Sequence, residues 1–423
     1  MTTPEDLFRE LLKLGDAWTV ERATFVEGKG LLELYVRETP KLWAVERCPH
    51  DGSSGVVCHD HIRGLRWRHL NVFSKEAEIV CDLPRGRCPK CGKVWRVTPP
   101  WEGRAKHFTK EFEAFALTLM REMPVKKAAD ILGEQDTRMW RILQAYVDEA
   151  YAAVDMSEVY CVGVDEMSRA KGQRYLTVFA DLVKKAVLFA TPGKDSETWG
   201  GFVTALAEHD GHPHALTSVS MDMSRAYAKG VLAYCRNAKI VYDKFHVIAH
   251  ANNAVDWVRR DETRSGRAAA REALAKSRWI WLKNPENLTC KEQRRLSRID
   301  QDMLQTGRAY QMRLALQEIY ELNDVAAATQ RFVEWCRWVR EESGKEGCWF
   351  LNHMARVANL IESHLPGILA HWDHGVTNAF MEGLNSVFSA VRRKARGYRS
   401  IRNMIAMLYF VAAKLPSPAL LSH

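Results

Sequence analysis

The chain has 423 residues, 47% of them hydrophobic and 27% charged, a globular composition with room for two or three domains and a sizeable core. Its 61 Lys and Arg outnumber 52 Asp and Glu, and a net charge of +9 suits a phosphate-bearing partner without requiring one. No apolar run reaches the roughly 18 residues of a membrane span. The first ten residues are polar and acidic, unlike a secretory leader. A cytoplasmic protein without disulfides is therefore expected.

Residues 1–40 alternate weakly, with a strand predicted over Leu31–Val36. Five of the ten Cys fall between Cys48 and Cys91, a crowding that asks for a metal and not a disulfide framework. Cys88-Pro-Lys-Cys91-Gly is a zinc knuckle, whose Gly lets backbone amides face the thiolates. The matching half, Cys48-Pro-His-Asp51-Gly, is irregular: Asp51 stands where a second Cys would complete the pair, with His50, Cys58, His59 and His61 nearby. A structural zinc on Cys48, Cys88 and Cys91 is expected, its fourth ligand left open, with Asp51 and Cys58 as candidates. The competing reading is a degenerate knuckle held by packing, with Cys58 and Cys81 as small hydrophobes.

After the breaker Pro99-Pro-Trp-Glu-Gly103 come three predicted helices. Phe108–Arg121 repeats Phe112, Phe115, Ala116 and Leu119; Val125–Leu132 stops at Gly133; Glu134–Tyr151 shows Met139, Ile142, Leu143, Tyr146 and Val147 on one face. Two helices around a tight Gly turn, the second carrying Arg138 and Arg141, form a helix-turn-helix pattern, with a plain amphipathic bundle as the alternative.

From Tyr160 the pattern turns to strands: 160–165, 175–182 and 186–190, separated by turn signals at Lys171-Gly172 and Lys184-Lys185. A helix over Ser196–Glu208, a strand over Leu216–Met221, a helix over Ala226–Cys235 and a strand over Ala238–Tyr242 follow. Three antiparallel strands, then alternating helices and parallel strands, describe a mixed α/β sheet. Residues 247–362 read as helical and polar, dense in Arg and Trp; Trp257, Trp279, Trp281, Trp335 and Trp338 are expected in the core.

Three of these strands end in acid, at Asp165, Asp222 and Asp243, and Glu382 opens a late helix on which Asn378, Glu382, Asn385 and Ser389 share a face. Gathered carboxylates repel unless a cation neutralises them. Two oxygen-ligated Mg²⁺ or Mn²⁺ ions about 4 Å apart would do so and would clamp a reacting phosphodiester. Glu166 falls on the opposite strand face from Asp165. Asp165 on the first strand, Asp222 on the fourth and Glu382 on a late helix is the order of an RNase H-like nucleotidyl-transfer core.

Several long motifs resemble the DDE transposases of the ISL-three insertion-sequence family. They are Val162-Gly-Val-Asp165-Glu-Met-Ser-Arg, Val219-Ser-Met-Asp222-Met-Ser-Arg-Ala-Tyr, Tyr242-Asp243-Lys-Phe-His246-Val, Thr377-Asn to Asn385-Ser, and Arg392-Arg-Lys-Ala-Arg-Gly-Tyr398-Arg. Trp67-Arg-His-Leu70, the second knuckle, Met123-Pro-Val and Asp136-Thr-Arg-Met-Trp140 extend the likeness over nearly the whole chain. The resemblance implies a multidomain α/β transposase: a zinc-knuckle DNA-binding domain (1–100), a helix-turn-helix (101–155), an RNase H-like catalytic domain (156–246 and 365–423) and an all-α insertion (247–364). It assigns Asp165, Asp222 and Glu382 to the metal-binding triad, and makes Asp243-x-x-His246 similar to a signature shared with Mutator-like transposases. Asp51, where many relatives carry Cys, departs from the pattern. His246 is expected at the scissile phosphate or packed at the strand tip. Arg392, Arg393, Lys394, Arg396, Tyr398 and Arg399 are expected along the DNA backbone, beside Arg138 and Arg141 from the helix-turn-helix. The implied function is Mg²⁺-dependent cleavage and strand transfer at terminal inverted repeats by a homodimer or larger assembly on double-stranded DNA, in the bacterial cytoplasm at the nucleoid. A catalytically silent DNA-binding regulator, or a nuclease on the same core, are the alternatives.

Overall fold

The computed structural model describes residues 3–170, 174–193, 195, 197–299, 301, 303–374 and 379–416, so the expected turn at Lys171-Gly172, Ser196 and Asn378 lie outside the described residues. The chain divides into two compact units, Met1–Val154 with Ser389–His423, and Asp155–Phe388. Among the described residues no helix is long and apolar enough to cross a membrane.

In the first unit, α1 (Pro4–Leu11) starts on a capping box in which Thr3 and Asp6 satisfy each other's backbone amides. β1 (Trp18–Val26) and β2 (Leu31–Glu38) form an antiparallel pair, and α2 (Lys41–Val45) follows. β3 (Val57–Val72) and β4 (Lys75–Arg87) make a long hairpin, and β5 (Val94–Arg96) pairs with the end of β4. The sheet order is β1-β2-β4-β3, with β2 parallel to β4. Its core centres on Trp101, whose ring meets Trp18 and Trp67 edge-on at centroid distances of 5.0 and 5.8 Å, with Leu34, Ile79 and Leu83 around them. Edge-to-face packing is the arrangement the ring quadrupole favours. Of these strands only β2 is expected from the residue pattern. Register shifts at Cys58/Asp60, Ile62/Leu65 and His69/Val72 interrupt the period-two alternation that would have revealed β3.

The same unit continues with α3 (Lys110–Glu122), α4 (Val125–Leu132) and α5 (Asp136–Ala152). Thr109 caps α3 by accepting from the Phe112 amide, and Gly133 closes α4 at φ 72°, a left-handed conformation costly for other residues. All five residues expected on the inner face of α5 are buried, whereas Phe115, expected inside on α3, is 43% exposed. A terminal helix, Ile401–Ala412, packs on α5, with Gln144 Nε2 donating to Asn403 Oδ1 at 2.6 Å.

In the second unit β6 (Cys161–Ala170), β7 (Arg174–Asp181) and β8 (Ala186–Pro192) form an antiparallel meander. Then come α6 (Glu197–Glu208), β9 (Ser218–Met221), α7 (Arg225–Tyr234) and β10 (Lys239–Tyr242). The order is β8-β7-β6-β9-β10, with β9 parallel to β6 and β10 parallel to β9. One expectation is corrected: β6 does not end at Asp165 but runs on to Ala170, held there by β7. Its parallel pairing with β9 is what stops early, at Gly163.

Among the described residues of 244–374 the α-helices are α8 (Lys244–Ser265), α9 (Ala268–Leu274), α10 (Arg278–Leu282), α11 (Cys290–Leu296), α12 (Gln305–Ile319), α13 (Val325–Gly344) and α14 (Asn352–His374). The start of α12 has no capping side chain of its own. Buried Glu262 on α8 supplies it, accepting from the Gln305 amide at 2.9 Å and from the Thr306 amide and hydroxyl at 2.8 and 2.7 Å. Trp281 and Trp335 are core residues as expected, but Trp257, Trp279 and Trp338 are 51, 63 and 37% exposed. Arg260 and Arg278 lie over the rings of Trp257 and Trp279, each 5.0 Å from the centroid. The last helix of this unit, α15 (Ala379–Lys394), runs past Phe388 into the residues grouped with the first unit.

Candidate active site

Strand register puts three acids in one row. Cys161, Val162 and Gly163 of β6 pair with Ser218, Val219 and Ser220 of β9, and Lys239–Tyr242 of β10 pair with Ser218–Met221. Carrying the register on by two residues sets Asp165 level with Asp222, and by one sets Asp222 level with Asp243. The Asp243 amide, donating to Met221 O at 3.2 Å, extends that alignment beyond β10. Asp222 thus follows β9, the strand next to Asp165, and Asp243 follows β10, one strand further.

Each acid is held differently. Asp165 Oδ1 accepts from the Glu166 amide at 2.7 Å, and Oδ2 accepts from Asn385 Nδ2 on α15. Burial pushes the Asp165 carboxyl above its ordinary range, with the Asp222 charge adding to the rise; the two hydrogen bonds and His246 oppose it. Asp222 Oδ1 accepts from the Ser224 amide at 3.0 Å. Buried Asp243 caps α8 by accepting from the Phe245 amide at 3.1 Å, and its Oδ2 is 3.9 Å from His246 Nε2 one turn on. The exposed Glu382 carboxyl is also raised, by partial burial and then by Asp243 and Asp165, against His246 and Lys244. Asp165, Asp222, Asp243, Glu382 and His246 thus share one electrostatic neighbourhood. Carboxylate oxygens are the donor type that hard divalent cations such as Mg²⁺ prefer; among the described residues, the groups whose ligand atoms already lie within 4.8 Å of one another are elsewhere.

The approach of α15 explains how Glu382 and Asn385 reach the sheet. Met381, Leu384 and Phe388 are the buried stripe of the helix. Gly163, two residues before Asp165 and on its face, leaves the space: a Cβ there would stand 3.0 Å from Met381 Cγ and 2.6 Å from Leu182 Cδ2. Glu166 is directed the other way, into the electrostatic range of Tyr227 on α7, whose hydroxyl lies 2.9 Å from Thr177 Oγ1. Asn385 was seen from sequence only as a member of a polar helix face; its bond to Asp165 was not legible.

The knuckles form a second centre. Two turns share one hydrogen-bond pattern: Gly52 N donates to Cys48 O at 2.8 Å and Cys48 N to Ser53 O at 3.0 Å, while Gly92 N donates to Cys88 O and Cys88 N to Lys93 O, both at 3.0 Å. Gly52 and Gly92 have matching φ of 71° and 69°. Asp51 therefore occupies the turn position of Cys91. Ligand atoms of Cys48, Asp51, Cys88 and Cys91 all lie within 4.8 Å of one another. The Cys48–Cys91 sulfur separation of 3.6 Å is close to the edge of a tetrahedron with Zn–S bonds of about 2.3 Å. Amides of Cys91 and Lys90 at 3.4 and 3.3 Å from Cys88 Sγ, with Ser53, hold that thiol at about 7, and Ser53 holds Asp51 well below the usual carboxylate range. Cys48 is pushed up to about 11, first by burial. Cys58 is not part of this group; it sits on β3 beside Glu38 and His61.

Of the arginines expected on DNA, Arg138 is half-buried, 2.7 Å from Glu134 Oε2 and over the Phe108 ring, while Arg141 is exposed. Tyr398 is held edge-on to Trp140 of α5 at 6.1 Å, and burial pushes its hydroxyl up to about 12. Arg393, Lys394, Arg396 and Arg399 are exposed, and Arg392 is half-buried. Tyr398 thus ties the basic segment to the helix that carries Arg141.

Comparison with known proteins agrees along the chain. A zinc-finger model of the transposases of IS204, IS1001, IS1096 and IS1165 matches residues 44–91, a helix-turn-helix model of transposase family ISL3 matches 97–147, and the ISL3 DDE transposase model matches 162–408. The chain is similar to the transposase for insertion sequence element IS1001 of Bordetella parapertussis, 29% identical over 404 residues covering 93% of this chain and 95% of the relative. It is also similar to the transposase for IS1557 of Mycobacterium tuberculosis, 27% identical over 441 residues covering 96 and 95%.

Proposed function

Because the chain belongs to the ISL3 family of insertion-sequence transposases, we propose that it binds the terminal inverted repeats of its element and performs Mg²⁺-dependent strand cleavage and transfer on an RNase H-like domain. The observation that carries this reading is Asp165 on β6 and Asp222 directly after β9, its parallel neighbour, with Asn385 of α15 bonded to Asp165 and Glu382 of the same helix within the electrostatic range of Asp165. The RNase H-like assignment is supported by the strand order, an antiparallel meander extended by two parallel strands. The domain limits proposed are 1–100 and 101–155 for DNA binding, 156–246 and 365–423 for catalysis, and 247–364 for the helical insertion.

Asp165, Asp222 and Glu382 would hold the ions, and Asn385 orients the Asp165 carboxylate through Oδ2. Bound there, two Mg²⁺ supply Lewis-acid polarisation of the scissile phosphate and favour deprotonation of the attacking hydroxyl. In the first step water's oxygen joins phosphorus and the 3′ oxygen leaves as a hydroxyl; in the second that hydroxyl attacks target phosphorus and displaces a target 3′ oxygen. His246 contributes a donor near the phosphate. The zinc knuckle, Arg141 and the basic residues Arg392–Arg399 contact double-stranded DNA, chiefly through phosphates. Two element ends must be joined together, which calls for at least a dimer.

Cleavage of DNA carrying the element's ends, with Mg²⁺ or Mn²⁺, tests the proposal: Asp165→Ala and Glu382→Ala should abolish cutting without loss of end binding. Retained cutting by either removes the triad. Asp243 is the rival second acid because it weighs most among the charges on Glu382. Asp222→Ala and Asp243→Ala assayed together decide between them, and a strand-transfer readout separates a transposase from a nuclease.

A further inference from the structure

A second gathering of unlike donors lies on the first sheet, outside the knuckle. A carboxylate oxygen of Glu38, Cys58 Sγ and a ring nitrogen of His61 all lie within 4.8 Å of one another, and His61 Nε2 is 2.7 Å from Glu38 Oε1. In an unbroken strand residues 58 and 61, three apart, would point to opposite faces. β3 is broken at this point. Cys58 pairs with Gly86, Asp60 with Arg85 and His61 with Pro84, so His59 is an inserted residue. Gly86 and Pro84 are two apart on β4 and share a face, and the bulge therefore turns Cys58 and His61 to one side. Glu38, the last residue of β2, arrives from across β4, since β2 and β3 flank that strand. Asp60, on the other face, is taken by the guanidinium of Arg85.

We propose that Glu38, Cys58 and His61 bind a late first-row divalent transition ion, zinc foremost, at a site separate from the knuckle and completed by one solvent ligand. One thiolate, one imidazole and one carboxylate form a borderline-soft set that discriminates against Mg²⁺ and Ca²⁺, which prefer oxygen alone. Three protein ligands with an open fourth position is a common arrangement for zinc. Cys58 and His61 are exposed and Glu38 half-buried, so an ion enters without opening the fold. Once bound, it ties the end of β2 to β3 across β4. The site does not depend on the catalytic reading.

The test is metal stoichiometry of the full chain. Metal-stripped protein is titrated with Zn²⁺ against a chromophoric chelator, and with Co²⁺ followed in the visible and near ultraviolet. In an Asp165→Asn, Glu382→Gln background that removes the proposed catalytic ions, the chain should take two equivalents, and adding Cys58→Ser or His61→Ala should leave one each. Cys91→Ser should disturb the other equivalent. The Co²⁺ bound at this site, with one thiolate against the knuckle's three, should show about a third of the sulfur-to-metal charge-transfer intensity. Circular dichroism checks that each variant is folded, and the near-isosteric Glu38→Gln gives a third removal if His61→Ala is not. Saturation of that background at one equivalent, or a Cys58→Ser protein in it that still binds two, overturns the proposal.

Discussion

Gly163→Ala probes how α15 is seated over the acids. The added Cβ would lie 2.6 Å from Leu182 Cδ2 and 3.0 Å from Met381 Cγ. The Leu182 tip can rotate away, but Met381 is buried and must take α15 with it by several tenths of an ångström. Overpacking of this kind costs about 1–3 kcal/mol, or a melting temperature lowered by roughly 2–12 °C in a large domain. Glu382 is the next residue and Asn385 one turn on, so the same displacement reaches the proposed site. A misplacement of about 1 Å can cost on the order of 10²-fold in rate, so several tenths should cost about tenfold. The expected result is end cleavage reduced about tenfold with DNA binding unchanged. Gly200→Ala on α6 is the control, because its Cβ would meet nothing closer than Tyr234 Oη at 3.5 Å, and its cleavage should match wild type. A Gly163→Ala protein that melts lower but cleaves at the wild-type rate would refute the claim that this contact positions the site.

Asp165→Asn addresses the buried carboxyl. Its folded pKa is raised, so the stability linked to it is complete below the ordinary Asp range and lost as pH rises through the folded value. In Mg²⁺-free buffer at pH 7.5 the Asn variant should melt above wild type, the gap should close at acidic pH, and added Mg²⁺ should raise only the wild type. His69 tests the opposite sign: burial, then Arg68, lowers it to about 4, so the unfolded chain binds more protons between roughly pH 4 and 6.5 and stability falls as pH drops through that window. The resulting loss from pH 7.5 to pH 5 is about 2 kcal/mol by urea unfolding, and His69→Asn should remove that component. For the knuckle, Asp51→Cys should tighten zinc and Asp51→Ala weaken it by about tenfold or more in chelator competition; equal affinities would exclude Asp51 as a ligand.

What the residues determined locally was read correctly from them. Glycine and proline punctuation and a 3.6-residue apolar period delimit α3, α4 and α5, and the alternation of strand and helix over residues 160–243 recurs in β6 to β10. The knuckle turns follow from short-range hydrogen bonds within 48–53 and 88–93. Long-range pairing decided the rest. Whether Asp165 stands nearer Asp222 or Asp243 depends on strand order, β9 lying between β6 and β10, and its bond to Asn385 joins residues 220 positions apart. The bulge that turns Cys58 toward His61 exists only because β4 supplies the partner against which one residue is extra. Residues 389–423 group with the amino-terminal part, Tyr398 meeting Trp140 and the terminal helix packing on α5, contacts that join positions more than 200 residues apart. Periodicity reports which face a residue is on; only the packed partner determines what that face meets.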